Sequence, residues 1–178
     1  MDLVTVNTQA RGGYPSNTLS VINRADAVVI GFPLFVYSLP GALTRLLEDW
    51  HQRRRAPEPG GQNLRVYAIV NCGFALPETN GEAIRVLMNF CGRLGLRWRF
   101  AVSIGCGPVV VMTRRIPLLN RGLDRALSEI ATDIRAPRPG ERDTILVRPI
   151  IPKSVGIAIR RALEMKNSRR RKKTTKAA

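Results

Sequence analysis

Residues 26–32 read DAVVIGF, an almost wholly apolar run with Val28, Val29 and Ile30 at its centre, and Pro33 follows at once. A run of this kind predicts a strand that is covered on both faces, as strands are in a parallel sheet. Residues 38–54 then place Leu and Ala side chains at helical spacing, and Pro40 suits the first turn of a helix. A strand, a turn containing glycine and a helix together form the repeating unit of an α/β protein.

The same unit occurs twice more along the chain. Residues 64–71 predict a second strand and residues 78–94 the helix after it. Residues 98–104 predict a third strand, and residues 117–134 a third long helix. Three such units predict a parallel sheet with right-handed crossovers. The apolar faces of the last two helices comprise Ala83, Ile84, Leu87, Met88 and Cys91, and Leu118, Leu119, Leu123, Ala126, Leu127, Ile130 and Ala131.

This topology also predicts where the loops lie. The carboxyl ends of parallel strands meet at one edge of a sheet, and ligands of open α/β sheets bind there. We therefore expect the three loops that follow the predicted strands, residues 31–37, 71–74 and 105–108, to converge on one rim.

Weaker patterns flank the three units. Leu3–Val6 alternates and predicts a short strand, and Ser16 or Asn17 suits the cap of a short helix that ends at Asn23. Residues 144–147 predict a strand or an extended segment, and residues 152–165 predict a final helix.

Length and composition indicate one soluble domain. The chain has 178 residues, and only 6% are aromatic, so Leu, Val, Ile and Ala must fill most of the core. The most apolar window, residues 27–47, contains Pro33 and Pro40 and does not resemble a transmembrane helix. The amino terminus lacks a basic segment followed by an apolar run, so we expect no secretory signal and a cytoplasmic location.

The cysteines and the histidine indicate neither a metal site nor a disulfide framework. Cys72, Cys91 and Cys106 are odd in number and include no CxxC pair. His51 is the single histidine, and its position before three arginines indicates a surface residue near a helix end. The sequence therefore predicts no metal ligand and no histidine-dependent catalytic triad.

Positive charge is concentrated at the carboxyl terminus. The formal net charge is +16, and seven basic residues lie within residues 166–178. We expect residues 1–165 to form the domain and residues 166–178 to be a disordered, solvated tail. Such a tail can attract nucleic acid weakly, but no interleaved aromatic residues predict specific nucleic-acid recognition.

Three segments carry a resemblance to a known family. Residues 25–41 read ADAVVIGFPLFVYSLPG, residues 70–80 read VNCGFALPETN, and residues 89–107 contain the strand that ends at Gly105-Cys106-Gly107. In this order they resemble flavodoxin-like NAD(P)H-dependent oxidoreductases, which include the NADPH-dependent FMN reductases. The resemblance covers roughly residues 20–165 and implies a flavodoxin-like three-layer sandwich with a mostly parallel sheet.

The resemblance implies a cofactor site on the rim. FMN would lie across the carboxyl ends of the strands and carry hydride from NAD(P)H to a quinone, a flavin or a similar small acceptor. The protein would supply orientation rather than an acid–base group, so no catalytic residue is assigned. Family members commonly dimerise, which makes a homodimer an expectation. The residues expected at FMN are Pro33, Leu34, Phe35 and Val36 on one side, Asn71, Cys72, Gly73 and Phe74 on the other, and Gly105 and Gly107 at the border.

The amino terminus departs from the family pattern. The family begins with an apolar strand and a loop that holds the FMN phosphate at a helix N-terminus. Here residues 1–6 resemble the second strand of the family, and we interpret Ser16-Asn17-Thr18 as a helix cap rather than a phosphate loop. The domain is therefore expected to be incomplete at its amino terminus. The missing strand is central in a 2-1-3-4-5 order, so its loss should leave an exposed sheet edge and an unfilled core.

Alternatives to the flavin enzyme remain at this point. Taken singly, Gly31-Phe32-Pro33 is also what ends a strand, Asn71 also caps a turn, and Cys72 and Cys106 suit small buried sites. The missing phosphate loop makes a non-catalytic remnant or an interaction module the second hypothesis. Weak electrostatic binding of nucleic acid by the tail is the third.

Overall fold

The structure is a computed structural model that describes residues 2–8, 13–54, 63–113, 117–140 and 142–148. The predicted helix 152–165 and the tail 166–178 lie outside these ranges. The elements in chain order are α1 Thr18–Arg24, β1 Ala27–Pro33, α2 Gly41–Arg54, β2 Arg65–Asn71, a 3-10 turn Pro77–Asn80, α3 Gly81–Arg93, β3 Arg97–Ile104, α4 Gly107–Thr113, α5 Pro117–Arg135 and β4 Ile145–Val147.

The described strands form a four-stranded sheet in the order β1-β2-β3-β4, and every neighbouring pair is parallel. Ile30 pairs with Ala68, and Ala68 pairs with Ala101, so the centres of the first three strands are in register. The α/β class and the parallel sheet predicted from the sequence are confirmed. The sequential order of β1, β2 and β3 is that of strands 3-4-5 in a flavodoxin-like sheet of order 2-1-3-4-5.

Helices cover both faces of the sheet. On one face Ile30 and Phe32 of β1 and Val66, Ala68 and Val70 of β2 pack in one core with α2 and α3. On the other face the aromatic and aliphatic side chains of β2 and β3 pack against Ala126 and Ile130 of α5. This is the expected three-layer arrangement. Each helix in the described ranges is too short or too polar to cross a bilayer.

Several predicted elements differ from the structure. Leu3–Val6 is not a strand, because the described residues 2–8 have no regular structure. The helix expected from residue 38 begins at Gly41, with the Pro40 carbonyl accepting from the N–H groups of Leu43 and Thr44. Asn17 does occupy the N-cap of α1, but its side chain makes no capping hydrogen bond.

The third and fourth helical regions also need correction. The helix predicted over residues 78–94 is a 3-10 turn followed by α3, and α4 was not predicted because its GPVVVMT sequence favours an extended chain. Met88 was placed in the core but is 45% exposed, and Leu127 is 38% exposed. Both lie at the margin of their apolar stripe, beyond the reach of the sheet.

The expected sheet edge is present. β1 pairs with β2 on one side and has no other strand beside it among the described residues. Val29, in the middle of β1, is 42% exposed, although its DAVVIGF context is typical of a strand covered on both faces. The neighbouring side chains of Ile30 and Phe32 are buried, so the strand is covered on one face only.

The amino end of the sheet is held by a buried ion pair. Arg99 of β3 donates from Nε and Nη2 to the two carboxylate oxygens of Asp133 in α5, at 2.8 and 2.9 Å. The Tyr67 hydroxyl donates to the same carboxylate at 2.8 Å, and Arg99 also donates to the carbonyls of Arg138 and Gly140. The pair joins the sheet, α5 and the chain that leads to β4.

This network shifts the pKa values of its members. Burial by itself raises the pKa of Asp133, but the hydrogen bonds from Arg99 and Tyr67 outweigh it and lower the pKa to about 2. Burial, followed by the hydrogen bond to Asp133, raises the pKa of Tyr67 to about 12. Asp133 is therefore a carboxylate, and Tyr67 a neutral donor, throughout the ordinary pH range.

Removing Arg99 should destabilise the fold strongly. We expect Arg99→Met to lower the free energy of unfolding by about 3–5 kcal/mol, because it removes the guanidinium that forms two hydrogen bonds with the buried Asp133 carboxylate. Arg142, at 3.8 Å from Asp133 Oδ1, is then the nearest cation and forms no hydrogen bond with it. The control is Arg85→Met, which removes an exposed i,i+3 pair with Glu82 and should change stability by less than about 0.5 kcal/mol. Urea unfolding followed by tryptophan fluorescence measures both, and equal effects would contradict the structural role of the buried pair.

Asp133 should also make stability depend on acid pH. Its pKa is lowered from 3.8 to about 2, so its contribution is complete above about pH 4 and is lost as the pH falls towards 2. We expect the difference in the free energy of unfolding between the parent chain and Asp133→Asn to become smaller as the pH falls through this interval. Unfolding curves at half-unit pH steps measure the difference, and a constant gap would disprove the assignment.

Candidate functional site

Backbone hydrogen bonds join the three strand-end loops into one rim. The Leu34 N–H donates to the Asn71 carbonyl at 2.7 Å, which ties the loop after β1 to the end of β2. The N–H groups of Cys106 and Gly107 donate to the carbonyls of Phe74 and Cys72, both at 2.7 Å, which ties the loop after β3 to the loop after β2. The predicted convergence of the loops is confirmed.

The loop after β1 is a tight turn with an unusual sequence. Phe35 and Ser38 exchange two backbone hydrogen bonds, of 2.9 and 2.8 Å, around Val36 and Tyr37. Val36 and Tyr37 have φ values of 46° and 61°, which a type I′ turn requires and which Asn-Gly ordinarily supplies. A β-branched residue in this region is strained, and Val36 is 90% exposed. The turn therefore holds apolar side chains in solvent at a cost in backbone energy.

Aromatic side chains connect this turn to the next loop. The rings of Tyr37 and Phe74 stack with a centroid separation of 5.3 Å and an interplanar angle of 23°. Phe35, Val36 and Leu76 are also exposed beside them. These five side chains form what we call the rim patch. Tyr37 and Leu76 were not among the predicted site residues, although an aromatic residue in a strand-end loop was a usable signal for Tyr37.

The loop after β2 contains some polar groups that a ligand can reach and others that already have hydrogen-bond partners. A Cβ placed on Gly73 would meet no atom within 4 Å, and among the described residues no backbone carbonyl accepts the N–H of Gly73 or Phe74. Cys72, in contrast, is buried and its thiol lies 3.6–3.7 Å from the carbonyl oxygens of Phe74, Leu76 and Ile104. Its N–H and carbonyl are also bonded within the rim. Gly73 and Phe74 can meet a ligand, whereas the polar groups of Cys72 are occupied.

Gly105 and Gly107 allow neighbouring loops to approach their backbone closely. A Cβ on Gly105 would lie 2.5 Å from the Ala75 carbonyl oxygen, and one on Gly107 would lie 3.1 Å from Asn71 Oδ1. Both glycines are buried, so they border the site from beneath. Between them Cys106 has a φ of 51°, and burial, with a further contribution from Cys72, raises the pKa of its thiol.

A buried amide supports the rim from below, and sequence patterns did not single it out. Asn80 is fully buried and donates from Nδ2 to Ser103 Oγ at 2.9 Å and to the carbonyls of Val70 and Ile104. Ser103 in turn donates to the Pro77 carbonyl at 2.6 Å. The 3-10 turn is thus bonded to the carboxyl ends of β2 and β3. Asn80 ends the PETN segment, and in the sequence only the family resemblance of residues 70–80 indicated that this segment is part of the site.

The ten predicted cofactor residues all lie on the rim, but they differ in exposure. Pro33, Phe35, Val36, Gly73 and Phe74 are exposed, Leu34 and Asn71 are half-buried, and Cys72, Gly105 and Gly107 are buried. An exposed Glu78–Arg148 hydrogen bond joins the 3-10 turn to the end of β4 near the same rim. Within the described ranges no three His, Cys, Asp or Glu side chains converge as a metal site.

Solved structures that match this chain include two proteins of low identity. The Trp repressor binding protein from Bacillus subtilis is 15% identical with a TM-score of 0.46, over 50% of this chain and 60% of that one. The flavodoxin, WrbA-like protein from Agrobacterium tumefaciens is 14% identical with a TM-score of 0.44, over 52% of this chain and 57% of that one. This chain thus matches less than two thirds of either structure. The sequence matches no protein-family model and no curated protein.

Two glycines of the rim should respond differently to the same substitution. We expect Gly105→Ala to destabilise the chain by about 1–3 kcal/mol, because the new methyl group would overlap the Ala75 carbonyl. Gly73→Ala should change stability by less than about 0.5 kcal/mol, because its Cβ would enter open space. Thermal unfolding of both variants measures the difference, and a tolerated Gly105→Ala would show that the loops are not packed as described.

Proposed function

We propose that this chain is the rim-forming part of a flavodoxin-like domain that binds FMN and works as an NAD(P)H-dependent oxidoreductase. The observation that carries the proposal is the rim at the carboxyl edge of a parallel sheet, where exposed aromatic side chains adjoin backbone N–H groups that no carbonyl of the described residues accepts. Ligands of open α/β sheets bind at this edge. The proposed substrates are NAD(P)H and a small electron acceptor such as a quinone or a flavin.

The rim offers the groups that a flavin ring needs. Tyr37 and Phe74 present aromatic surface to a planar ring system. The N–H groups of Gly73 and Phe74 can donate to the polar edge of the ring, and the open space at Gly73 permits its close approach. When bound, FMN would supply the hydride chemistry, while these residues orient the ring and exclude water from one of its faces.

The described residues offer the phosphate of FMN no site comparable to the one they offer its ring. Among the described residues, no strand followed by a glycine- and serine-rich loop leads to a helix N-terminus beside the rim. The segment that most resembles a phosphate loop, around Asn17, opens the short helix α1. We therefore expect the ring to contribute most of the affinity and the phosphate little. Riboflavin, which lacks the phosphate, should then bind nearly as well as FMN.

Flavin binding should depend on Phe74. We expect Phe74→Ala to weaken FMN binding about 2–10-fold, since it removes one partner of an aromatic stack. The control is Met88→Ala, which truncates a side chain of similar exposure on α3 and should leave FMN affinity unchanged. Quenching of flavin fluorescence at several salt concentrations measures the affinities of FMN and riboflavin. A folded parent chain that binds neither flavin would remove the oxidoreductase proposal.

A second candidate function is a non-catalytic interaction module. The observation that favours it is the edge of β1 that no other described strand covers, where the exposed Val29 and the outward-facing backbone groups offer a surface for another chain. This function needs no flavin, so a folded chain that binds a polypeptide but neither FMN nor riboflavin would support it over the first.

A further inference from the structure

Arginines are concentrated at the amino edge of the sheet, which lies opposite the rim. The last turns of α1, α2, α3 and α5 each contain an arginine, and β2 and β3 each begin with one. Because the strands are parallel, their starts share one edge with the ends of the helices that lead to them. We call this surface the arginine edge, and its residues are Arg24, Arg53, Arg65, Arg93, Arg97 and Arg135.

Contacts between the elements hold these arginines close together. Arg65 pairs in register with Arg97, so the two residues begin neighbouring strands that lie about 4.8 Å apart. Arg65 also donates from Nη1 to the Ile134 carbonyl at 3.0 Å, which places the end of α5 beside the start of β2. Trp50 donates from Nε1 to Asn23 Oδ1 at 3.0 Å, which joins the last part of α2 to the end of α1. The arginines therefore belong to one continuous surface.

The positive charge of this surface is largely uncompensated. Arg24, Arg97 and Arg135 are exposed, and none of the three forms a salt bridge with a described residue. Arg65 is half-buried and donates to backbone carbonyls rather than to a carboxylate. The guanidinium groups are therefore available to an external anion.

Acidic residues are fewer at this edge than arginines. Asp26 and Asp143, which precede β1 and β4, are the exposed acidic residues next to the starts of the described strands. Asp133, in the last turn of α5, is buried and already paired with Arg99. Asp2 and Asp26 line a cavity that Arg24 and other residues of the arginine edge also line. The edge thus keeps a net positive charge.

Helix dipoles account for only part of this arrangement. A cation in the last turn of a helix stabilises it by about 0.3–1 kcal/mol, which is a sufficient reason for Arg24 or Arg135 taken singly. Arg65 and Arg97 begin strands, and a sheet has only a small net dipole. A basic surface that continues from the helix ends onto the strand starts indicates a negatively charged partner.

The surroundings of the arginine edge favour the phosphates of a duplex over other polyanions. The exposed aromatic side chains of the described residues are Phe35, Tyr37 and Phe74, and all three lie at the opposite rim. The edge therefore lacks the aromatic surface on which single strands stack, and the aromatic residues that anchor proteins to membranes or occupy the core of protein interfaces. Guanidinium groups bind phosphate oxygens through paired hydrogen bonds, which needs no aromatic neighbour.

We propose that the arginine edge binds the phosphate backbone of double-stranded nucleic acid without regard to its base sequence. The starts of β1, β2 and β3 span roughly 10 Å, which is enough for about three successive phosphates of one strand at a rise of about 3.4 Å each. The described helices and strands meet this edge with their ends. None of them lies along it in a position to enter a groove and distinguish bases.

The test begins with a variant of the full chain that loses three exposed cations of the arginine edge. This edge variant combines Arg24→Gln, Arg97→Gln and Arg135→Gln. It leaves Arg65 in place, because Arg65 also joins β2 to α5 through its hydrogen bonds. Thermal unfolding of the edge variant checks that it is folded.

A control variant loses the same charge elsewhere. It combines Arg45→Gln, Arg85→Gln and Arg121→Gln, which are exposed residues in the first halves of α2, α3 and α5 and so lie towards the rim. The basic residues 166–176 are present in both variants, so any attraction that they add is the same in each.

Fluorescence anisotropy of a labelled DNA duplex of about 20 base pairs, at several salt concentrations, measures the affinities. Each phosphate contact contributes about 0.9 to the slope of log K against log salt concentration. We expect the edge variant to bind about tenfold more weakly or worse at low salt and to lose about 2–3 from this slope, whereas the control variant should change the affinity less than about twofold. Two duplexes of unrelated sequence should bind the parent chain equally.

A second measurement uses the parent chain and does not depend on the folding of a variant. Phenylglyoxal modifies accessible arginines, and mass spectrometry of peptides locates the modified residues. In the complex with the duplex we expect the three arginines of the edge variant to be protected and the three of the control variant to remain reactive.

Several outcomes would overturn the proposal. They are a parent chain that binds no duplex, equal losses in the two variants, protection of the control arginines instead of the edge arginines, and tighter binding of the single strand than of the duplex. Vesicles that contain phosphatidylserine are a further probe, and tighter binding to them that the edge variant loses would assign the edge to a membrane instead. None of these outcomes bears on flavin binding at the rim, which the titrations of FMN and riboflavin test separately.

Discussion

The parallel pairing of β2 with β1 on one side and β3 on the other is the constraint on which the rest of the structure depends. Val66, Ala68 and Val70 are completely buried in the middle of this pairing. Three strands that run in one direction and in register must end at the same edge. The helices between them return the chain across the faces of the sheet, so the three loops that follow the strands meet at the carboxyl rim. The hydrogen bonds between the loops then fix their positions there.

The two ends of the sheet are stabilised by different interactions. At the amino end the buried Arg99–Asp133 pair and Tyr67 form charge-assisted hydrogen bonds whose partners are all satisfied by side chains or backbone. At the carboxyl end the loops are joined mainly by backbone hydrogen bonds, with the Asn80 amide beneath them. The side chains of the rim are therefore left to face solvent, and the rim patch around Tyr37 and Phe74 is the result. The amino end of the sheet is thus closed by buried side chains, whereas its carboxyl end is open to solvent.

β1 contributes both to the sheet and to the rim. Its even-numbered residues bond to β2, and the loop after it forms the strained turn of the rim. The backbone groups of its odd-numbered residues point away from β2, and Val29 among these residues is partly exposed. The strand and the turn of the rim thus share one continuous backbone segment, and the ladder with β2 sets the position of this segment.

The sequence by itself determined the three strand–loop–helix units, to within a few residues for most of them, and the rim on which their loops meet. It could do so because hydrophobic period and turn chemistry are local, and because parallel strands share one carboxyl edge whatever their side chains. Only the tertiary structure decided that Tyr37 stacks on Phe74, that Gly105 accommodates the Ala75 carbonyl, and that Arg99 pairs with Asp133. Each of these depends on two segments that are distant in the chain, and no pattern within one segment encodes the other. The exposure of Met88 and Leu127 has the same origin, since helical spacing shows which residues share a stripe but not how far the sheet extends beneath it.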